Sequence, residues 1–447
     1  MKKLIDQFNH LDVSLVISDY PDSTVGGGKN YGIAWYTKET LEPLAKRYNR
    51  RFVVLGEKQT NKKSETYANG KIAVFRVFDP THHSLFPTIL QWLLKFPYIH
   101  DVYVHSEFCT NGGLKNFALL LPFLFLIKLL GKNIIYFSHN VVTSFDGIGT
   151  HLNLGTNPVK LALLNSLLKI YYRVLGLICN RVVVMDTILK KRLSQFVSED
   201  KIVLSPFWTE KKDLKINKAL TRKKLNISKD DFVLLYFGFI TWYKGADWII
   251  QEIKSITSKM KNGRKIKLII AGGPSYSLKD QDHYKKYYQN ILNSVRGDPR
   301  IIVTGFVPEN EIDQYFAVSN LCVFPYRGYI GSSGAITHAI SRQVPFVISK
   351  HMSETLVNEE YQKAFRESGL KEKDLVFSFK SRSLILAINR FKNKKFCAKA
   401  QIFLSSILET KSIKNILPIL AETVYTRSKS QMVSYAHLKP IFNLLSA

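Results

Sequence analysis

Short apolar runs alternate along this chain with longer segments whose apolar residues recur at helical spacing. The first run, VSLVIS at 13–18, has the pattern of a buried strand, and a helical stretch follows at 33–48. Further strand patterns lie at 52–55, 72–77, 102–105, 133–138 and 181–185, with helical stretches at 113–130 and 159–176 between them. The pattern resets near 202–208, where a short strand runs through Pro206, Phe207 and Trp208 into a charged stretch, 210–224. Beyond it strands are predicted at 232–237, 266–271, 301–304, 321–324 and 346–349. Helices are predicted at 246–260, 279–295, 309–318 and 334–341. Strands alternating with helices of this length predict βαβ units and parallel sheets. The chain therefore reads as α/β: an N-terminal domain at 1–205, a C-terminal domain at 206–421, and a hinge near 205–220. A last segment, 422–447, is apolar without strand alternation and is expected to be a helix packing back on either domain.

Composition changes this picture in one respect. A length of 447 residues and 46% hydrophobic content suit two cores, but 64 Lys and Arg against 35 Asp and Glu give a net charge of +29. Such an excess favours anionic partners: nucleic acid, an anionic membrane surface or phosphorylated substrates. A solvated basic surface is the plainer alternative. No helix-turn-helix, zinc-finger or aromatic RNA-binding motif is visible, so no specific nucleic-acid partner is expected. Cys109, Cys179, Cys322 and Cys397 are far apart, which leaves neither a zinc ribbon nor a redox pair and fits a reducing cytoplasm. The N-terminus breaks its apolar residues with Asp6, Gln7, Asn9, His10 and Asp12, unlike a secretory leader. The longest apolar run, 117–127, contains Pro122. As a helix it would reach about 16 Å against roughly 30 Å of hydrocarbon, so a core helix is expected.

In parallel α/β sheets ligands bind beyond the carboxyl ends of strands, and the polar motifs fall there. In FGFITWYKGAD (237–247), Gly238 ends a strand and Lys244-Gly245 opens a helix, a combination suited to a diphosphate or to an ordinary turn. In VFPYRGYIGSSGAITHAI (323–340), Ser332, Ser333 and Gly334 lie between a strand and a helix. Hydroxyls and free amides there suit phosphate, or simple N-capping. VGGGKNYG (25–32) reads as a loop able to close over a cleft, or as a mobile turn. His139 ends the strand of YFSHN (136–140), in reach of a cleft. IIAGGPS (269–275) and VTGFVP (303–308) are strands ending in glycine. The only Asp-x-Asp, Asp280 to Asp282, reads as a solvated helix start.

Taken in order, these motifs resemble the retaining, nucleotide-sugar-dependent glycosyltransferases with two Rossmann-like domains and an interdomain cleft, the B-type architecture. The resemblance is most specific over 230–350. It implies that Lys244 holds the donor diphosphate, with Ser332, Ser333 and Gly334 lining the same phosphate. It places Gly26 and Gly27 near that phosphate and His139 near the transferred sugar. Gly238, Gly273, Gly305, Phe306 and Val307 would border the sugar and base. It implies a hexose moved from a nucleotide sugar with retention, and no metal or other cofactor. This chain departs from the family pattern at Phe239 and Thr241, where an arginine is common, and at Ile330 and His338, where two glutamates are common. Arg327 is a candidate for the missing positive charge, and His338 for the ribose contact.

The acceptor side is read from charge. Lys38, Lys46, Arg47, Arg50 and Arg51 cluster along and past one predicted helix, and Lys160, Lys169, Arg173 and Arg181 are interleaved with Leu, Ile and Tyr. A basic face with apolar residues suits an anionic bilayer. A lipid-linked or growing-glycan acceptor, handled by a peripheral enzyme on the cytoplasmic membrane face, is the preferred expectation. A soluble acceptor is the alternative. The other functional classes are a catalytically inactive sugar-nucleotide-binding partner subunit and a nucleic-acid binder.

Overall fold

The computed structural model describes residues 1–21, 32–58, 63–107, 114–145, 154–155, 157–256, 265–275, 278–380 and 382–425. The first sheet comprises β1 (Val13–Ile17), β2 (Arg51–Glu57), β3 (Ser64–Tyr67), β4 (Ile72–Phe78), β5 (Asp101–Ser106), β6 (Asn133–Ser138), β7 (Arg181–Val184) and β8 (Ile202–Leu204). Its order is β3-β4-β2-β1-β5-β6-β7-β8. Every pairing is parallel except that of β3 with β4. The second sheet comprises β9 (Phe232–Phe237), β10 (Ile266–Ala271), β11 (Ile301–Val303), β12 (Leu321–Phe324), β13 (Phe346–Ser349) and β14 (Val376–Phe377). Its order is β11-β10-β9-β12-β13-β14, parallel throughout. Central strands are continuous apolar runs because helices cover both faces of a parallel sheet. Phe52, Val53, Val54 and Leu55 of β2 and Val233, Leu234 and Leu235 of β9 have no exposed surface.

Both sheets change direction once. Strand order reverses between β1 and β5 in the first sheet and between β9 and β12 in the second. Loops leaving such neighbours diverge and open a crevice at the strand ends. The loops after β9 and β12 carry the Lys-Gly and Ser-Ser-Gly motifs, so the fold brings the two together.

The stretch expected to be a linker, 210–224, ends in a helix, Lys218–Lys224. Asn217 caps it by accepting from the Leu220 amide at 3.0 Å. Arg222 in this helix is buried and donates to the carbonyls of Ser228 and Val318, each at 2.9 Å. The chain then crosses back at its other end. The Tyr425 ring stacks on Tyr103 at 4.6 Å and meets Phe52 edge-on at 5.7 Å, both in the first domain. The Tyr103 hydroxyl donates to the Val424 carbonyl at 3.3 Å, and Arg181 donates to that of Thr423. Most of the segment 422–447 lies outside the described residues.

Candidate functional site

The loop after β9 is a short 3₁₀ turn, Trp242–Lys244, closed by Gly245 at φ 73°. Gly245 lies against the Pro325 carbonyl after β12, where a Cβ would overlap the carbonyl oxygen. Only glycine meets both demands, the left-handed backbone and the close approach. This junction locks the two loops together. Arg327 strengthens it: it donates to Asp247 through both terminal nitrogens, at 2.9 and 2.6 Å, and also to the Trp242 carbonyl. Its guanidinium lies 4.6 Å from the Trp242 ring centroid. Arg327 therefore does not offer an unpaired charge to a donor; it braces the loop that carries Lys244.

Lys244 points back under β9. Its Nζ lies 3.2 Å from where a Cβ on Gly238 would stand, and near the Tyr243 and Tyr326 rings. Burial pushes its ammonium down to about 8, opposed by the carboxylate of Glu107. Glu107 comes from the other domain, just past β5. Burial raises its carboxyl, against the lowering effects of Lys244 and a hydrogen bond with the Asn140 side chain. Lys244 thus faces an acid from across the cleft, at the place where a diphosphate would need charge.

The helix Gly334–Ser341 starts at the same crevice. Ser333 is its N-cap and accepts from the Ile336 amide at 3.4 Å, so its hydroxyl does cap the helix. The Gly334 and Ala335 amides have no intrahelical acceptor, and the Ala335 Cβ stands 4.0 Å from the Gly238 Cβ position. These amides and Lys244 converge beside Gly238. The Ser332 hydroxyl is taken: it donates to Asp186 of the first domain at 2.7 Å.

His338, one turn into this helix, lies edge-on to Phe237 at 5.1 Å. Arg342 donates to its Nδ1 at 2.8 Å and is itself held by Asp313 at 2.6 Å. Burial, with Arg342 and Lys212 adding to it, pushes His338 down to about 3. A neutral ring accepting at Nδ1 carries its proton on Nε2. His338 therefore presents a donor where a glutamate would present an acceptor.

His139 is buried and pushed down to about 3 by that burial. Its Nε2 lies 3.2 Å from Nδ1 of His105, and Tyr36 meets its ring edge-on at 5.1 Å. It stays neutral across the physiological range, so it offers a hydrogen bond and not a charge. The next residue, Asn140, forms an antiparallel bridge with Gly331 across the cleft. Gly273 packs against the backbone of Phe306, and Phe306 is partly exposed at the strand ends while Val307 is buried. Gly305 turns the chain there at φ 72°. Gly26 and Gly27 lie outside the described residues.

The crevice also holds residues that the motifs did not single out: Glu107, Asp186, Tyr329 and Asp247. Glu107 lies one residue past β5 and Asp186 two past β7, so the rule that placed His139 applied to them as well. Asp280 and Asp282 are exposed, and Asp282 begins the helix Asp282–Val295 and pairs with the exposed Lys285.

Residues 231–374 match the family described as Glycosyl transferases group 1. Over 106 residues the chain is 29% identical to a lipopolysaccharide 1,2-N-acetylglucosaminetransferase of Salmonella typhimurium, a match that spans 23% of this chain and 26% of that relative. The fold is similar to sucrose-phosphate synthase of Thermosynechococcus elongatus, with TM-score 0.64 and 15% identity over 92% of this chain and 98% of the other. It is also similar to the Anabaena protein HepE, solved in complex with UDP, with TM-score 0.59 and 14% identity over 92% and 99% of the two chains. The two structural likenesses span both domains and agree with the two-domain α/β architecture read from the sequence.

Proposed function

We propose that the protein moves a hexose from a nucleotide sugar to a lipid-linked or growing-glycan acceptor, with retention, a reading supported by the match of residues 231–374 to group 1 glycosyltransferases. The observation that carries the donor half is the convergence of Lys244, Gly238 and the start of helix Gly334–Ser341 at the β9/β12 crevice. As the sugar leaves, negative charge grows on the departing phosphate. A fixed cation and two free amides in a sheltered site stabilise it without reorganising. In retaining transfer the acceptor arrives on the face the phosphate leaves, so the same groups serve both events. His139 and the N-terminal strand ends line the sugar side of the cleft. No metal or cofactor is part of this reading.

The experiment is a thermal-shift series with UDP-, GDP- and ADP-linked sugars. One nucleotide class should stabilise the protein, and the shift should vanish in Lys244→Ala. Turnover with that donor would set an enzyme apart from an inactive partner subunit, and the anomeric configuration of the product, read by NMR, would test retention.

The acceptor half rests on the outer face of the first domain. The helix Pro158–Ile178 is long and apolar enough to cross a membrane by length and composition. It is nevertheless docked: Tyr171, Tyr172 and Leu175 are buried, and the Tyr171 ring stacks on Phe117 of the neighbouring helix Leu114–Leu129 at 4.1 Å. Its other face leaves Val159, Leu163, Leu167, Ile170 and Leu177 more than half exposed, beside exposed Lys169 and Arg173. The helix Leu114–Leu129 continues the patch with Phe125 and Leu129. By contrast, Lys46 pairs with Glu42 and Arg51 with Asp12, so the basic cluster past the helix Gly32–Arg47 is partly neutralised. An apolar stripe edged by basic residues suits a helix lying in an anionic bilayer surface. The triple change Leu163→Ser, Leu167→Ser and Ile170→Ser should cut sedimentation with phosphatidylglycerol vesicles by more than about tenfold, since each buried side chain is worth ~1.5–3 kcal/mol. Thermal stability should not fall. Unchanged sedimentation would favour a soluble acceptor.

A further inference from the structure

We propose that Asp186 is a positioning residue for the donor-phosphate loop. Held from across the cleft, the loop takes its binding shape only while the two domains touch. The inference rests on the donor-site reading above. Asp186 lies two residues past β7 and caps the helix Thr187–Leu193, its Oδ1 accepting from the Leu189 amide at 2.8 Å. Its Oδ2 accepts from the Ser332 hydroxyl at 2.7 Å and from the Tyr329 hydroxyl. The far end of the same helix holds the same loop: Arg192 donates to the Tyr329 carbonyl at 2.8 Å, lies over the Tyr329 ring at 5.5 Å, and pairs with Glu354 at 2.9 Å. Between these ends the Thr187 amide donates to the Asn358 side chain at 3.0 Å.

A third grip comes from the residues just past β6. The bridge between Asn140 and Gly331 is so close that a Cβ on Gly331 would stand 2.7 Å from the His139 carbonyl oxygen. The loop from Tyr329 to Ser332 belongs to neither a strand nor a helix, so its shape must come from such contacts. Two hydroxyls donating to one carboxylate are charge-assisted and directional bonds. They fix the approach to Ser333 and Gly334, and through them the aim of the helix amides. A free second domain would lack all three grips. Donor affinity and domain contact are then two sides of one coupling, and each must strengthen the other.

Asp186→Asn separates this role from folding. Asparagine caps helices as well as aspartate does and can still accept from Leu189. Its amide nitrogen, however, faces the two hydroxyls as a donor. Isothermal titration with UDP, GDP and ADP should show Asp186→Asn weakening the best of the three by about tenfold, with the melting temperature unchanged. In turnover the donor KM should rise while kcat changes little. Tyr329→Phe with Ser332→Ala should weaken binding similarly, and combining them with Asp186→Asn should add nothing further. Unaltered affinity in Asp186→Asn, or losses that simply add, would overturn the proposal. If Lys244→Ala loses nucleotide binding while Asp186→Asn keeps it, the donor site stands and this inference falls. If the unaltered chain binds none of the three, the donor-site reading fails and takes the inference with it.

Discussion

Lys244→Ala should lower turnover by about a hundredfold or more, the scale of losing one preorganised charge-stabilising group, while the protein stays folded. Removal leaves the half-buried Glu107 without the lysine ammonium, and a carboxyl already raised by desolvation answers by taking up a proton. The fold therefore loses little. The same lysine sets a pH dependence with two opposite signs. Because its ammonium is pushed down to about 8 from 10.5, kcat/KM should fall as pH rises through about 8, since that parameter reports the free enzyme. Stability should move the other way. Between about 8 and 10.5 the unfolded chain still holds a proton that folded Lys244 has released, so unfolding becomes harder as pH rises. Activity falling while urea stability rises over one window would identify Lys244; a parallel fall in both would point to general alkaline unfolding.

Gly245→Ala should damage stability and donor binding together. It meets a left-handed backbone at φ 73° and the Pro325 carbonyl at once. A cost of about 2–3 kcal/mol in urea unfolding is expected from strain and overpacking together. Nucleotide binding should be lost as well, because the methyl forces apart the two loops whose junction aims Lys244. Gly334→Ala supplies the contrast. No atom lies within 4 Å of its Cβ position, and alanine suits the first turn of a helix. Its stability should be retained or raised, while donor binding weakens if a phosphate must approach that amide. Equal stability losses in the two variants would contradict this account of the junction.

The architecture was legible because central parallel strands are continuous apolar runs. VSLVIS, NIIYFS and FVLLYF mark β1, β6 and β9 to within a residue or so. The edge strand β3, SETY, was not legible. It pairs on one side only, buries little, and its residues carry no strand pattern. The helix Lys218–Lys224 was hidden in a charged run because its one decisive contact, Arg222 on distant carbonyls, is tertiary. In the site, Lys244 and Gly245 were readable from their place after a strand. Arg327 was readable as a charge but not as a paired one, since its partner Asp247 lies 80 positions earlier. Asp186 escaped for a similar reason: a lone aspartate before a helix reads as a cap, and it is one. Only the folded cleft shows its second oxygen turned to Ser332 and Tyr329.

Tyr425 gives the chain an unusual order of assembly. Domains are ordinarily completed in the sequence in which they leave the ribosome. Here the rings of Phe52, Tyr103 and Phe137 wait for a residue encoded after the whole second domain. The first domain can collapse early, but it is sealed last. A nascent chain halted after residue 205 would carry an open aromatic seam, and the arrival of Tyr425, not synthesis of the first half, is the moment at which that half becomes native.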